Sequence, residues 1–453
     1  MPANPRPTMP DRVNVLLIGS GGREHALAWQ LKQSSRLGRL WVDPNANAGL
    51  RAMGTPCTEP LSKPAMFRLN RWCDKEEIGL VVIGPEVPLA EGWADDLATE
   101  TRLVFGPCKA AARLEADKGW AKEIMRSSSI PMAEGRTFKD RSPAIAYAMS
   151  REDGCVVKAS GLAAGKGVIV CRTPEAAVEA VEMIMGDPER HTQGSFGSAG
   201  DTIVIEELLQ GQEMSVLAFV DGRSIWVLDP CQDHKQVGEG DVGPNTGGMG
   251  AYCPTPLATP EIMSRIERDI LVPTIDGLRR EGITFRGVLY AGLMLTTGGP
   301  KVLEYNCRFG DPECQPLMAR LRGDLLEVLW ATAAGQLDEL ESGLESDPRT
   351  ACCVVLCSAG YPGSITEGHP ITGIEAAEAE AGVDETVIVF QSGTTIDARD
   401  RVVSAGGRVM SVTALAADLT AAQDLANRAA AKIEFAGAFF RRDIGSRVMN
   451  PIS

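Results

Sequence analysis

Val13–Ile18 is a short run, VNVLLI, that passes straight into Gly19-Ser20-Gly21-Gly22-Arg23-Glu24-His25. It reads as a buried strand, then a glycine turn, then a helix opening at about Glu24. Arg39–Val42, Leu80–Ile83 and Leu103–Phe105 read as further strands separated by amphipathic helical patterns. This alternation over 13–113 predicts a parallel α/β sheet. Ligands of such sheets bind beyond the carboxyl ends of the strands. The loops Gly19–Arg23, Pro44–Gly49, Gly84–Pro88 and Gly106–Pro107 are therefore the candidate site.

Residues 117–341 have a different texture. Strands are predicted at Cys155–Lys158, Val168–Cys171, Ile203–Glu207, Val216–Val220 and Ile225–Leu228, with few helices, as in a mixed α+β region. Residues 185–202 read as a polar, glycine-containing loop. Further strands at Cys352–Ser358, Val387–Gln391 and Val409–Thr413 precede a helix at about Thr420–Ile433. A chain of 453 residues makes two to four domains.

The net charge of −15 argues against nucleic acid as a partner, which needs clustered Lys and Arg. A local basic pocket for a small anion remains compatible with it. The twelve cysteines form no C-x-x-C pair and several sit in apolar runs, as expected of reduced thiols in a cytoplasmic protein. The four histidines are too scattered for a zinc site. Met1–Arg12 lacks the apolar core of a signal peptide. No apolar run approaches the ~20 residues of a membrane span.

The loop Gly19–His25 has three open readings. Glycines and a helix start suit a phosphate, which Arg23 can hold bidentately. A dinucleotide site is the second, with Asp43 placed for a ribose, although Glu24 stands where the third glycine belongs. A structural turn is the third. Lys158-Ala-Ser-Gly161-Leu-Ala-Ala-Gly165-Lys166-Gly167 imitates a Walker A loop with the wrong spacing. It suits a hairpin lid over a triphosphate, or a flexible hairpin with two solvated lysines. Ile205-Glu206-Glu207-Leu208-Leu209, followed by Glu213, offers a strand end to an adenine edge and a carboxylate to a ribose. The polar run Gln232-Asp233-His234-Lys235 with Gly243–Tyr252 is too long and too ordered in composition for an idle loop. On the strand Val302–Asn306, Glu304 and Asn306 share one face and offer hard oxygens suited to Mg²⁺. Arg308 follows on that face.

Together and in this order, GSGGREHA, GPE-x-PL, VVKASGLAAGKGV, VIEE, QDHK-x-VG, GPNTGGMGAY and LE-Y-NCRFGDPE-x-Q resemble the phosphoribosylamine–glycine ligase family of the ATP-grasp superfamily. GYPG at 360–363, GGRV at 406–409 and FRRDIG at 440–445 belong to the same likeness, which covers about 13–447. The resemblance implies a multidomain α/β and α+β fold. Its parts are an N-terminal parallel α/β (pre-ATP-grasp) substrate domain at 12–115, an ATP-grasp core of two α+β lobes at 116–341 with a mobile lid lobe at about 136–206, and a C-terminal β-rich domain at 342–448.

It also implies roles. ATP falls to Lys118, Lys158, Gly161, Gly165, Lys166, Gly167, Glu206, Glu207, Leu208, Leu209 and Glu213. The metal, Mg²⁺ or Mn²⁺, falls to Glu304 and Asn306. Lys158, Lys235, Asn245 and Arg308 are the catalytic set. Glycine and phosphoribosylamine fall to Gly19, Gly21, Gly22, Arg23, Glu24, Asn47, Gly84, Pro85, Glu86, Asp233, Gly247, Gly248, Met249, Arg308, Asp311 and Glu313. A monomer or weak homodimer with small-molecule partners only, no nucleic acid and no membrane, is expected. The chain departs from the family pattern in three places. Pro44–Gly49 is one residue longer and lacks a glycine, Ser160 stands where many members have Asp, and Gln391 replaces a common His. The rival readings are another ATP-grasp carboxylate–amine ligase, an NAD-dependent oxidoreductase, and a nucleotide-binding regulator without turnover.

Overall fold

A computed structural model of the chain describes residues 7–163, 166–187, 192–340 and 344–449. Its first sheet is fully parallel. The strand order is Thr55–Pro56, Leu37–Val42, Val13–Ile18, Ile78–Ile83, Leu103–Phe105. Alternation along Val13–Ile18 places Val13, Val15 and Leu17 in one core and Leu16 and Ile18 in another. Helices Gly22–Leu31 and Leu325–Ala334 cover the first face, and Met66–Lys75 and Trp93–Leu97 the second. The order of strands reverses at Val13–Ile18, so the loops after it and after Ile78–Ile83 meet at the switch point. Gly84 N–H donates to Ile18 C=O there at 3.0 Å.

A second sheet, Gly135–Phe138, Ile203–Glu207, Cys155–Ala159 and Val168–Cys171, is antiparallel. Val157, Ala159, Ile203 and Ile205 pack under helices Arg141–Met149 and Pro174–Met185. Val156, Lys158 and Glu206 consequently face the other way, into a cavity. A third sheet, Ile225–Val227, Gln212–Val220, Gly287–Thr296 and Gly299–Asn306, faces it across that cavity. The region 117–341 holds more helix than its sequence suggests, including Lys118–Ser127, Pro174–Met185 and Val272–Arg280. These helices are capped by Asp117 and Thr173 side chains or begin with Pro, local signals easily lost among the strands. Within 185–202, the described residues form a small hairpin, Gly186–Asp187 with Thr192–Gln193, and a turn of 3₁₀ helix at Gly197–Gly200. That replaces the expected irregular loop.

The fourth sheet joins distant segments. Its order is Gln232–Asp233, Gly250–Cys253, Thr350–Cys357, Arg408–Ala416, Thr386–Gln391, all antiparallel. Two of its strands come from upstream of 342, so the sheet runs across the boundary expected from sequence. Helix Leu419–Ala430 covers it through Ala422, Leu425, Ala426 and Ala429. No helix among the described residues is long and apolar enough to cross a membrane.

Candidate active site

The three units enclose one continuous cavity of about 680 Å³. At one end are Lys118, at the start of its helix, and Lys158, at the end of its strand. Lys158 Nζ donates to Leu303 C=O at 2.9 Å and pairs with Glu206 Oε2 at 2.9 Å. Glu206 Oε1 pairs with Lys122 Nζ at 2.8 Å. One buried carboxylate thus separates two buried ammonium groups, the arrangement that makes their burial tolerable. Burial, reinforced by Lys158, pulls the Lys118 pKa down against the attraction of Glu304. Such lysines have lost their water and gain most by meeting phosphate oxygens.

Leu303 sits at a bulge where the register between Gly287–Thr296 and Gly299–Asn306 slips. Bulges re-aim side chains near active sites, and here Leu303, Glu304 and Asn306 all line the cavity. The Glu304 side chain makes no hydrogen bond or ion pair with the described residues. Burial works against its charge, yet Lys235, Lys118 and Lys158 hold its pKa below the ordinary carboxylate range. Among the described residues no three His, Cys, Asp or Glu side chains could hold an ion by themselves. An ionised, unpartnered carboxylate beside an amide oxygen fits a magnesium-type ion whose remaining ligands are phosphates and water.

A second part of the cavity is apolar. Val156, Val170, Leu209, Met294 and Leu303 line it. The backbone of Leu208 and Leu209 forms no hydrogen bond within the described chain, leaving donors and acceptors for a base edge. Glu207 is held by Lys301 Nζ at 2.9 Å and by the Glu134 N–H at 3.0 Å, so its side chain braces the strand end. Glu213, expected at a ribose, pairs with Lys235 Nζ at 2.9 Å.

The opposite end is rich in paired charge. Arg308 reaches Glu115 Oε1 at 2.9 Å and Glu86 Oε2 at 3.4 Å. Arg23 Nε pairs with Glu24 Oε1 at 2.6 Å, and Glu24 Oε2 accepts the Gly21 N–H at 2.7 Å. Glu24 therefore fills the space of a dinucleotide loop's third glycine. Asp43 is spent on the Gly19 and Asn45 N–H groups. Asp233 lines the cavity, is 6% exposed and has no side-chain hydrogen bond within the described chain. Burial pushes its pKa up to about 7, helped by Glu313 and Glu213 and opposed by Lys235. Glu313 Oε1 accepts from the Tyr290 hydroxyl at 2.6 Å.

Lys118, Lys158, Gly167, Glu206, Glu207, Leu208, Leu209, Glu213, Lys235 and Asn245 line the cavity as expected, as do Glu304, Asn306, Arg308, Asp311, Glu313 and Asp233. So do Gly19, Gly21, Arg23, Glu24, Pro85, Glu86 and Gly247. Other expected residues do not line it, and most are held by close packing or hydrogen bonds. A Cβ on Gly22 would strike Ser392, and one on Gly84 would strike the Glu24 carboxylate. The side-chain space of each of these glycines is thus taken by a neighbouring side chain. Asn47 is 2% exposed, and its amide donates to the carbonyls of Ser20, Gly21 and Gln391. Gly248 has a φ of +116° beside Pro312, and Met249 is buried in the C-terminal core. Gly161 bonds to Ala199, and Lys166 Nζ reaches Pro362 C=O at 3.5 Å. Gly165 is outside the described residues. Lys122, Glu115, Tyr290 and Arg408 were not legible as site residues, although Lys122 stands one helical turn after Lys118 on the same helix.

Three family models match in order: phosphoribosylglycinamide synthetase N domain at 13–115, ATP-grasp (A) domain at 116–314 and C domain at 351–447. A phosphoribosylamine–glycine ligase from Rhodopirellula baltica is 46% identical over 97% of this chain and 98% of its own. One from Nostoc is 44% identical over 96% and 100%. The human trifunctional purine biosynthetic protein adenosine-3 is 46% identical over 96% of this chain, which spans 42% of that longer protein. The crystal structure of a phosphoribosylamine–glycine ligase from Thermotoga maritima matches with a TM-score of 0.77 at 31% identity, covering 95% of this chain and 100% of that one. A biotin carboxylase from Campylobacter jejuni shares the fold, with a TM-score of 0.70 at 14% identity over 97% of this chain and 95% of that one. With its lysine-lined cavity held between the same three consecutive units as these full-length relatives, the chain belongs to the phosphoribosylamine–glycine ligase family.

Proposed function

We infer that this chain joins glycine to 5-phospho-β-D-ribosylamine at the expense of ATP, giving glycinamide ribonucleotide, ADP and phosphate in purine biosynthesis. The carrying observation is the single cavity whose two ends differ in kind: lysines and an apolar slot at one, ion-paired arginines and the solitary Asp233 carboxylate at the other.

A glycine carboxylate oxygen attacks the γ-phosphorus, and the bond to the ADP oxygen breaks. The resulting glycyl phosphate is attacked at its acyl carbon by the amine. The carbon–oxygen bond to phosphate then breaks, and the amine releases a proton to solvent. Lys158 and Lys118 neutralise charge on the transferred phosphoryl group and need no reorganisation to do so. Asp233 receives the glycine ammonium and aims the carboxylate towards the triphosphate. Arg308 and Arg23, together with the backbone of Gly19 and Gly21, receive the phosphoribosylamine phosphate. Lys235 and Asn245 border the acyl centre. The amine is nucleophilic when neutral, so no dedicated base is required.

Glu304 and Asn306 would hold Mg²⁺ or Mn²⁺, which would neutralise charge on the ATP phosphates. Residues 12–115 act as the substrate unit, 116–341 as the ATP unit with a lid at about 136–206, and 342–448 as the cover. The protein works in the cytoplasm as a monomer or weak homodimer. The test is ADP release with glycine and amine omitted in turn, using glycine labelled with ¹⁸O in its carboxylate. Dependence on both, with ¹⁸O appearing in phosphate, is the expected result. ADP formation without ¹⁸O transfer would reject the acyl phosphate.

A further inference from the structure

Arg408 opens the strand Arg408–Ala416 of the fourth sheet, yet its side chain lines the cavity. Its NH1 donates to Gly247 C=O at 2.7 Å and to Asp311 C=O at 2.6 Å, and NH2 meets Asp311 Oδ2 at 3.1 Å. These acceptors lie on two separate loops, 246–249 and 309–313, that border the substrate end. From the other side the Gly247 N–H donates to the Tyr361 hydroxyl at 3.1 Å. Both peptide faces of Gly247 are thus held by residues that lie in the C-terminal unit. A Cβ on Gly247 would lie 3.1 Å from Arg408 Cζ, so the guanidinium packs against a position where only a hydrogen fits easily. Gly407 is similarly bare because the Tyr361 ring occupies its side-chain space.

We propose that Arg408, supported by Tyr361, is a positioning residue that locks the Gly247 turn onto Asp311 and so sets the geometry of the substrate end of the cavity. The physical reason is the planar fork: one guanidinium can satisfy carbonyls on two loops and a carboxylate at once, whereas an ammonium cannot do so in one plane. Without it, Gly247 and Asp311 carbonyls lose a charge-assisted partner, and the Asp311 carboxylate, kept ionised by Arg408 and Arg23 against burial, is left less compensated. Lys118, Lys158 and Leu209 lie on other elements, and the clamp's hydrogen-bonded route toward that end runs only through Thr246 and Lys235 to Glu213 among the described residues.

The kinetic arm of the test rests on the proposed ligation, while the exchange arm does not. Arg408→Met, Arg408→Lys and Tyr361→Phe are compared with the full-length wild type. Hydrogen exchange by mass spectrometry is followed at peptides covering 243–250 and 309–313. Steady-state KM is measured for phosphoribosylamine, glycine and ATP. Exchange in both peptides should quicken in Arg408→Met and less so in Tyr361→Phe. KM for phosphoribosylamine should rise about tenfold in Arg408→Met, with the KM for ATP nearly unchanged and partial recovery in Arg408→Lys. Unchanged exchange overturns the clamp. Faster exchange with all three KM values unmoved, or with ATP affinity lost in parallel, overturns the positioning role. If the wild type ignores phosphoribosylamine, the proposed reaction fails, and the exchange result still decides the clamp.

Discussion

Glu206 lies 2.9 Å from Lys158 through one carboxylate oxygen, while its other oxygen is taken by Lys122. The two lysines therefore differ in consequence. Replacing Lys158 with Met removes the charge beside the cavity but leaves Glu206 a partner. Turnover should collapse while the melting temperature falls only modestly, as differential scanning fluorimetry beside ADP release would reveal. Glu206→Gln should do the reverse damage. Two buried ammonium groups lose their counter-charge, at a cost of about 3–5 kcal/mol. Equal stability of the two variants would refute this ordering.

Glu304→Gln keeps an oxygen at the bulge but removes its charge. The expected outcome is a sharp loss of activity, partly restored by raising Mg²⁺. Superimposable Mg²⁺ titrations for variant and wild type would exclude Glu304 as a metal ligand.

The pH dependence should expose Asp233, whose folded pKa is about 7. A carboxyl raised in the folded state contributes most to stability when protonated, below its unfolded value of about 3.9. That contribution is lost as pH rises through about 7. Binding has the opposite sign, because an ammonium is attracted only by the ionised form. KM for glycine should therefore rise as pH falls below about 7. Asp233→Asn should raise KM throughout and flatten that profile. A wild-type glycine KM that does not move between pH 6 and 8 would disprove the contact.

Gln391 holds two segments of the N-terminal unit through its backbone. Its N–H donates to His25 Nδ1 at 2.8 Å, and its C=O accepts from Asn47 at 2.7 Å. Among the described residues its side-chain amide meets only Thr394, whose hydroxyl donates to Oε1 at 2.9 Å. Gln391→Ala should cost about 0.5–1.5 kcal/mol, one ordinary hydrogen bond, and leave activity intact. His25→Ala should cost more. The His25 ring is buried and neutral, with its pKa near 4, packs edge-on against Phe390 and occupies the space beside Gly49. Denaturant melts of the two variants would separate these effects.

The strands and their loops were legible because alternation and glycine punctuation are local. Glu304 and Asn306 could be paired from spacing alone, and the structure adds the bulge that turns Leu303 into the cavity as well. The glycines were harder to interpret. Gly22 and Gly84 look like phosphate-loop residues but are small because Ser392 and Glu24 lie against them. Arg408 could not be placed from spacing at all. It is separated from Gly247 by 161 residues, and only the pairing of Thr350–Cys357 with both Gly250–Cys253 and Arg408–Ala416 brings the two together. Lys122 was within reach, since a lysine one turn after Lys118 shares its face.

The segment that carries Asp233 and Lys235 is braced by residues made much later. Arg447 donates to Asp233 C=O and to both oxygens of Asp241, and His234 Nε2 accepts the Gly445 N–H. Arg447 and Asp241 are 206 residues apart. At ribosomal speed that gap is roughly 10–40 s. During this interval a nascent chain already has Lys118 and Lys158 but not the Arg447 side chain that braces Asp233 and Asp241. Completion of the chain thus supplies the last struts of the 233–241 segment, after every other residue that lines the cavity has been made.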